Sequence, residues 1–288
     1  MDNVQIEVTN ACKIGCSNCT HLVGHAKPWF MALDAFKEAV DSLTGYPKIV
    51  GMIGGETLNH PDFEAMCNYL HSKFPKEQCG LWTALPEGFE RYRETIVETF
   101  GHIFLNDHTR GDVLHAPVLV ASEELPLEQW QKDYLINHCW VQNSWSASVN
   151  PNGAFFCEVA GALAMLFDIK GWPVEPDWFT RMPKDFVEQM DTFCKLCGCA
   201  MPLLKRCSTD KIDDISPGMV EKLKVISPKL KAGKYAVHDL TLCQDNRQMA
   251  TYKDQKYRDD IAARYGLFLS TNERGFQTPH LSRKWEKP

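Results

Sequence analysis

Three cysteines, Cys12, Cys16 and Cys19, fall within eight residues, directly after the alternating stretch Val4-Gln-Ile-Glu-Val8. Apolar–polar alternation has the period of a β-strand. The sequence therefore predicts a tight loop at a strand end that can aim three sulfurs at one point. Thiolate is a soft ligand, suited to zinc or to an iron–sulfur cluster. A structural zinc site closes its tetrahedron with a fourth Cys or His, and His21 and His25 are the nearby candidates. The alternative is a four-iron cluster held by three cysteines, with one iron left open to a ligand.

The rest of the chain bounds what can be built around that loop. With 288 residues it can bury a substantial core, as one large domain or one with a small appendage. A hydrophobic content of 44% and a charged content of 24% are those of an ordinary globular protein. The net charge of −6 argues against extended binding to a nucleic-acid backbone. No basic-then-apolar leader opens the chain and no apolar run approaches membrane-spanning length, so a cytoplasmic protein with no membrane partner is expected. In that compartment its 12 cysteines point to metal ligands or catalysts rather than disulfides.

Periodicity alternates between strand and helix through the first half. Strands are expected at 4–8, 49–53, 81–83, 102–105 and 118–121, and helices at 32–43, from Pro61 through Leu70, at 88–100 and at 127–137. Such alternation argues for a parallel sheet with helical crossovers. Near residue 139 the pattern changes, and Trp145–Asn150 with Ala154–Cys157 around Pro151-Asn-Gly153 reads as a β-hairpin. Further on, a helix is expected over 216–230, bounded by Pro217 and Pro228, then a charged amphipathic helix over 252–265 and an irregular basic tail over 271–288.

The C-x3-C-x2-C loop after a first strand, with Gly54-Gly55-Glu56 ending the second, resembles the signature of the radical S-adenosylmethionine (radical SAM) superfamily. The resemblance implies an α/β fold, a partial (β/α) barrel of about five to six parallel strands. It implies a [4Fe-4S] cluster on Cys12, Cys16 and Cys19 whose open iron chelates SAM, and a Gly54-Gly55-Glu56 segment that binds the SAM amino group. Asn18 departs from the pattern, since that position is usually aromatic and packs near the adenine. In such barrels the chemistry gathers at the C-terminal ends of the strands, which makes Thr83 and the cluster Asn106-Asp107-His108-Thr109-Arg110 candidates for holding SAM or substrate. The same polar cluster also reads as an ordinary turn-forming loop. His21, His25, Lys27 and Trp29 are candidates for lining the pocket.

Four more cysteines, Cys139, Cys157, Cys194 and Cys197, frame the hairpin and end in a C-x2-C pair, a common metal-binding spacing. Zinc fits that ligand count as well as iron does. The pattern is similar to the twitch domain, a half-sized SPASM domain, of the radical SAM dehydrogenases and epimerases that act on aminocyclitols and aminosugars, as in butirosin and neomycin biosynthesis. It implies an auxiliary [4Fe-4S] cluster in a small C-terminal hairpin and helix domain. Cys199 can compete as a ligand. Cys207 fits a second SPASM site, but position 203 is Leu. The expected division is a barrel over 1–138, the auxiliary domain over 139–207 and a helical extension and tail over 208–288.

The function implied is reductive cleavage of SAM to a 5′-deoxyadenosyl radical, which abstracts hydrogen from a small polar substrate: a sugar, an aminocyclitol or a nucleoside-like compound. Dehydrogenation and epimerisation or isomerisation are both open, with an electron donor such as flavodoxin or ferredoxin as partner. Cys67 and Cys79 read as core, whereas Cys199, Cys207 and Cys243 are candidates for a hydrogen donor. The alternatives are radical modification of a peptide or nucleic-acid base, and a zinc or iron–sulfur binding protein without catalysis.

Overall fold

The computed structural model describes every residue except 109, 110, 112, 144, 145 and 243–288. The chain begins with β1 (Asn3–Thr9), α1 (Leu33–Asp41), β2 (Ile49–Gly54), α2 (Phe63–Lys73), β3 (Cys79–Thr83), α3 (Arg93–Thr99) and β4 (His102–Leu105). A short β5 (Leu114–His115) leads to α4 (Gln129–Asn137), α5 (Trp140–Asn143), β6 (Ser146–Asn150), β7 (Gly153–Phe155), α6 (Glu158–Phe167) and α7 (Val187–Phe193). The described chain closes with β8 (Arg206–Cys207), β9 (Asp213–Ile215), α8 (Pro217–Leu223), α9 (Pro228–Lys231) and β10 (Tyr235–Val237).

The main sheet has six strands in the order β4-β3-β2-β1-β6-β7. Every neighbouring pair from β4 across to β6 is parallel, and β7 is antiparallel to β6. This is the mixed α/β architecture of a partial (β/α) barrel, with β1 at its centre. One face is apolar: Val4, Ile6, Val8, Val50, Met52, Leu81, Ile103 and Leu105 pack with Phe36 and Val40 of α1, Phe63, Met66 and Leu70 of α2, and Ile96 of α3. Full burial of each such side chain contributes about 1.5–3 kcal/mol. Cys67 and Cys79 belong to this core, as expected. At β1 and β6 the other face carries Gln5, Glu7, Ser148 and Asn150, all buried.

The fifth parallel strand is not where periodicity placed it. Residues 118–121 form no strand; Leu119 makes a single bridge to Ile215, and the run packs into a second core with α6. Short apolar runs of this kind are where strand and buried loop look alike in sequence. The position beside β1 is taken by β6, the first arm of the expected hairpin, with Gln5 opposite Ser148 and Ile6 opposite Val149. The helix expected over 216–230 is two short helices, each opened by a proline at its first turn, Pro217 in α8 and Pro228 in α9. α6 and α7, absent from the sequence reading, cover the hairpin. The amphipathic helix expected over 252–265 lies outside the described residues.

Candidate active site

The C-terminal ends of β1 and β2 lie side by side, with Thr9 paired to Gly54. The next residues are stitched together by the backbone: Gly55 donates to the Thr9 carbonyl at 2.7 Å and Glu56 to the Ala11 carbonyl at 2.9 Å. A Cβ on Gly54 would fall 2.1 Å from the Thr9 carbonyl oxygen, and one on Gly55 would fall 2.6 Å from the Asn10 carbonyl carbon. Gly54 also has a φ of 153°. The two glycines are therefore required by the backbone leading into Cys12, a close approach within the chain itself.

Glu56 is buried at the junction. Its carboxylate accepts from the Thr83 hydroxyl at 2.6 Å, the Ala84 amide at 2.9 Å and the Leu58 amide at 3.2 Å. Burial pushes its pKa up, opposed by those same hydrogen bonds. The Thr57 hydroxyl bonds the same carboxylate, so about four acceptor positions, the number an ionised carboxylate offers, are met from within the chain. Thr83 accordingly acts through Glu56. Asn106 is tied by its backbone amide to the Thr83 carbonyl at 2.8 Å, and Asp107 is buried beside it.

Cys12, Cys16 and Cys19 come together after β1. Burial raises the pKa of all three, Cys19 to about 11, and the thiols of Cys16 and Cys19 sit close enough to Cys12 for mutual repulsion to add to the effect. Glu56 acts on Cys12 in the same sense. Among the described residues no group of three or more His, Cys, Asp or Glu side chains is gathered tightly enough to hold a metal ion. Three thiols at the end of a central strand, close to the Glu56 carboxylate, are a soft donor set of the kind that zinc or an iron–sulfur cluster takes.

The two histidines considered as a fourth ligand are engaged elsewhere. His21 Nδ1 lies 3.2 Å from Glu7 Oε1, and although burial works against it, Glu7 raises its pKa. His25 is buried, with Nε2 2.6 Å from Asp213 Oδ2 and Nδ1 2.9 Å from Ser227 Oγ. Two other imidazoles meet the loop: His108 Nδ1 is 3.4 Å from Cys16 Sγ, and His115 Nδ1 is 2.7 Å from the Ser17 carbonyl oxygen. Burial, and then neighbouring His115, lower the His108 pKa to about 3, so the ring is neutral at physiological pH.

Asn18 is hydrogen-bonded within the chain. It sits at a φ of 50°; its side-chain amide donates to Asp214 Oδ2 at 2.9 Å and accepts from the Asp214 amide at 2.8 Å. Its backbone amide donates to Asp213. A polar residue stands there because β9 receives it. Nothing in the sequence pattern marked Asp213, Asp214 or Lys229, since their partners lie about two hundred residues away.

A second group missed in sequence is the polar face of β1. Glu7 accepts from the Asn150 amide at 3.2 Å as well as meeting His21. Glu158 joins them from the start of α6, its pKa raised by burial and opposed by His21. A small cavity bounded by Glu7, Asn10, His21, Trp29, Ala162 and Met165 opens here. His21 and Trp29 thus bound this small cavity, whereas His25 belongs to the network around Asp213 and Lys27 is exposed.

A larger cavity gathers Cys139, Cys157, Cys194, Cys197 and Cys199, with apolar walls from Ile136, Val141, Phe156, Leu163 and Phe193. Cys157 caps α6, its sulfur accepting from the Ala160 amide at 3.3 Å, and the Cys197 sulfur accepts from the Cys199 amide at 3.4 Å. Hydrogen bonds from Cys199 hold Cys197 below its usual pKa, while Cys199 is pushed up. Several thiols in an apolar chamber, two already receiving backbone N–H groups, form a soft donor set of the kind that zinc and iron–sulfur clusters both take. Cys199 lies in this wall, while Cys207 pairs in β8 with contacts to Gly111 and Thr209. Cys243 lies outside the described residues.

Among the described residues no helix is long and apolar enough to cross a membrane. No family model matches the chain, and no curated protein matches it. Solved structures that are similar to the chain include two of BtrN. One is BtrN in complex with AdoMet and 2-DOIA, with a TM-score of 0.45 and 16% identity, covering 68% of this chain and 92% of that one. The other is selenomethionine BtrN in an open conformation, with a TM-score of 0.44 and 14% identity, covering 69% and 86%.

Proposed function

We propose that this chain is a radical SAM enzyme acting on a small polar substrate, a sugar, aminocyclitol or nucleoside-like compound, by dehydrogenation or by epimerisation or isomerisation. The observation that carries the reading is the grouping of Cys12, Cys16 and Cys19 at the C-terminal end of the central strand, with Gly54-Gly55-Glu56 hydrogen-bonded to the same backbone. These three cysteines would hold one [4Fe-4S] cluster, and Cys139, Cys157, Cys194 and Cys197 an auxiliary one, with Cys199 as a fifth thiol in the same wall. Such a cluster would supply one-electron reduction of SAM and, through it, hydrogen abstraction from an unactivated C–H bond, chemistry outside the reach of any side chain.

The chain's own contribution is placement and exclusion of water. Glu56, oriented by Thr83, Ala84, Leu58 and Thr57, would place a carboxylate beside the SAM ammonium. Glu7 and His21 present a polar, hydrogen-bonding wall to substrate hydroxyl or amino groups, and burial raises the pKa of Glu158 behind them. Flavodoxin or ferredoxin would supply the electron. A second reading, a closed Cys3His zinc site, is favoured by His108 alone, through its approach to Cys16.

The test is anaerobic reconstitution, reduction with dithionite and incubation with SAM. The reading expects 5′-deoxyadenosine to form and a Cys16→Ala variant to make none. Zinc in place of iron, with no SAM cleavage, would replace this reading with the second.

A further inference from the structure

Lys229 is buried, and a buried ammonium is tolerated only where partners replace its water. Its Nζ lies 2.8 Å from Asp213 Oδ2 and donates to the Cys16 carbonyl at 3.1 Å. Its backbone amide donates to the Gly24 carbonyl at 2.9 Å. Both ends of the residue therefore grip the polypeptide that carries the three cysteines. The same stretch is held by neighbours of Asp213: Ser17 donates to the Ser208 carbonyl at 2.9 Å, and Ile212 donates to the Ser17 hydroxyl at 3.0 Å. The thiols of Cys16 and Cys19 both feel the Lys229 charge.

We propose that Lys229 is a positioning residue for the three-cysteine loop: it pins the Cys16 carbonyl to Asp213 and sets a desolvated positive charge beside the thiolates, favouring one-electron reduction of the cluster they hold. This rests on the functional reading above. A cluster on three thiolates gains one negative charge when an external one-electron donor reduces it, and no bond is made or broken. In a medium of low dielectric an adjacent cation stabilises that extra charge far more than it would in water. Asp213 has the opposite sign and partly cancels the effect.

The experiment uses the full chain, with both sites reconstituted, in a dithionite titration followed by EPR. Lys229→Met is expected to shift the midpoint of the Cys12–Cys19 cluster to a more negative potential, Asp213→Asn to a more positive one, and Lys229→Arg to restore the wild-type value. In the apo-protein, amide exchange at residues 16–18 is expected to quicken about tenfold in Lys229→Met and to recover in Lys229→Arg. A Lys229→Met protein with wild-type potential and exchange overturns the proposal and leaves the functional reading standing. So does an Arg variant that fails to restore the potential, because charge is then not the cause. If the wild type holds no iron on this loop, measured as iron content unchanged by removing Cys12, Cys16 and Cys19, the functional reading and the proposal fall together.

Discussion

Replacing Asp213 by Asn takes one charge out of a buried cluster while preserving its shape. In the wild type, Oδ2 meets both Lys229 Nζ at 2.8 Å and His25 Nε2 at 2.6 Å, while Oδ1 accepts from the Asn18 amide. An Asn can keep the bond to Asn18, but its NH2 group then faces the ammonium, donor against donor. Breaking a buried pair by removing one partner costs about 3–5 kcal/mol, because the surviving charge is left without a counter-ion. For a chain of this size each kcal/mol moves the melting temperature by about 2–4 °C, so a fall of about 6–20 °C is expected. Urea unfolding of the apo-protein measures the same loss as a lower midpoint at unchanged slope. The double variant Lys229→Met with Asp213→Asn removes both charges and should recover at least half of the loss, since the two sites are in contact. The pH dependence has a defined sign. Burial alone would raise the Asp213 pKa, but the His25 hydrogen bond and the Lys229 charge hold it below its usual value. Its contribution is therefore present above about pH 3.9 and lost as pH falls through the folded value. A loss under about 1 kcal/mol for Asp213→Asn, or no recovery in the double variant, would refute the reasoning.

Other outcomes follow from the same geometry. Gly55→Ala places a methyl group against the Asn10 backbone and should cost about 1–3 kcal/mol by overpacking; Gly54→Ala adds a strained φ worth about 1–3 kcal/mol more, both read by urea unfolding. Iron analysis of the reconstituted protein should give about eight irons, falling to about four when Cys12, Cys16 and Cys19 are all Ala, and to about four in Cys157→Ala; loss of all iron in either would show that the two sites are not separate. Glu158 has a raised folded pKa, so its contribution is complete below about pH 4.3 and is lost as pH rises through the folded value. Glu158→Gln should therefore gain stability relative to wild type on going from pH 4 to pH 8, and parallel curves would count against a buried carboxylate there.

How much of this was legible in advance varies by residue. Local signals carried the β1 alternation, the apolar faces of α1 and α2 and the core placement of Cys67 and Cys79, because each depends on residues a few positions apart. Cys139, Cys157, Cys194 and Cys197, grouped in the sequence by the C-x2-C spacing, line one cavity together with Cys199. α6 was not read because its Ala- and Gly-rich run has little periodicity: Gly161 is needed where a Cβ would meet Ser148 Oγ at 2.5 Å, a constraint set by another element.

The sequence by itself determined the cysteine spacing, the strand that precedes it and the glycines that follow the second strand, since these are properties of short stretches of chain. It could not determine what the polar residues between them were for. Glu7 reads in sequence as the wet side of a half-exposed strand, yet it is buried against His21 and Asn150. Asn18 reads as a departure from a pattern, yet Asp214 accounts for it. Only the tertiary structure decided that β6 lies beside β1 and that β9 and α9 close over the cysteine loop. A buried charge takes its meaning from its partner, and here the partners were distant in the chain and joined by the fold alone.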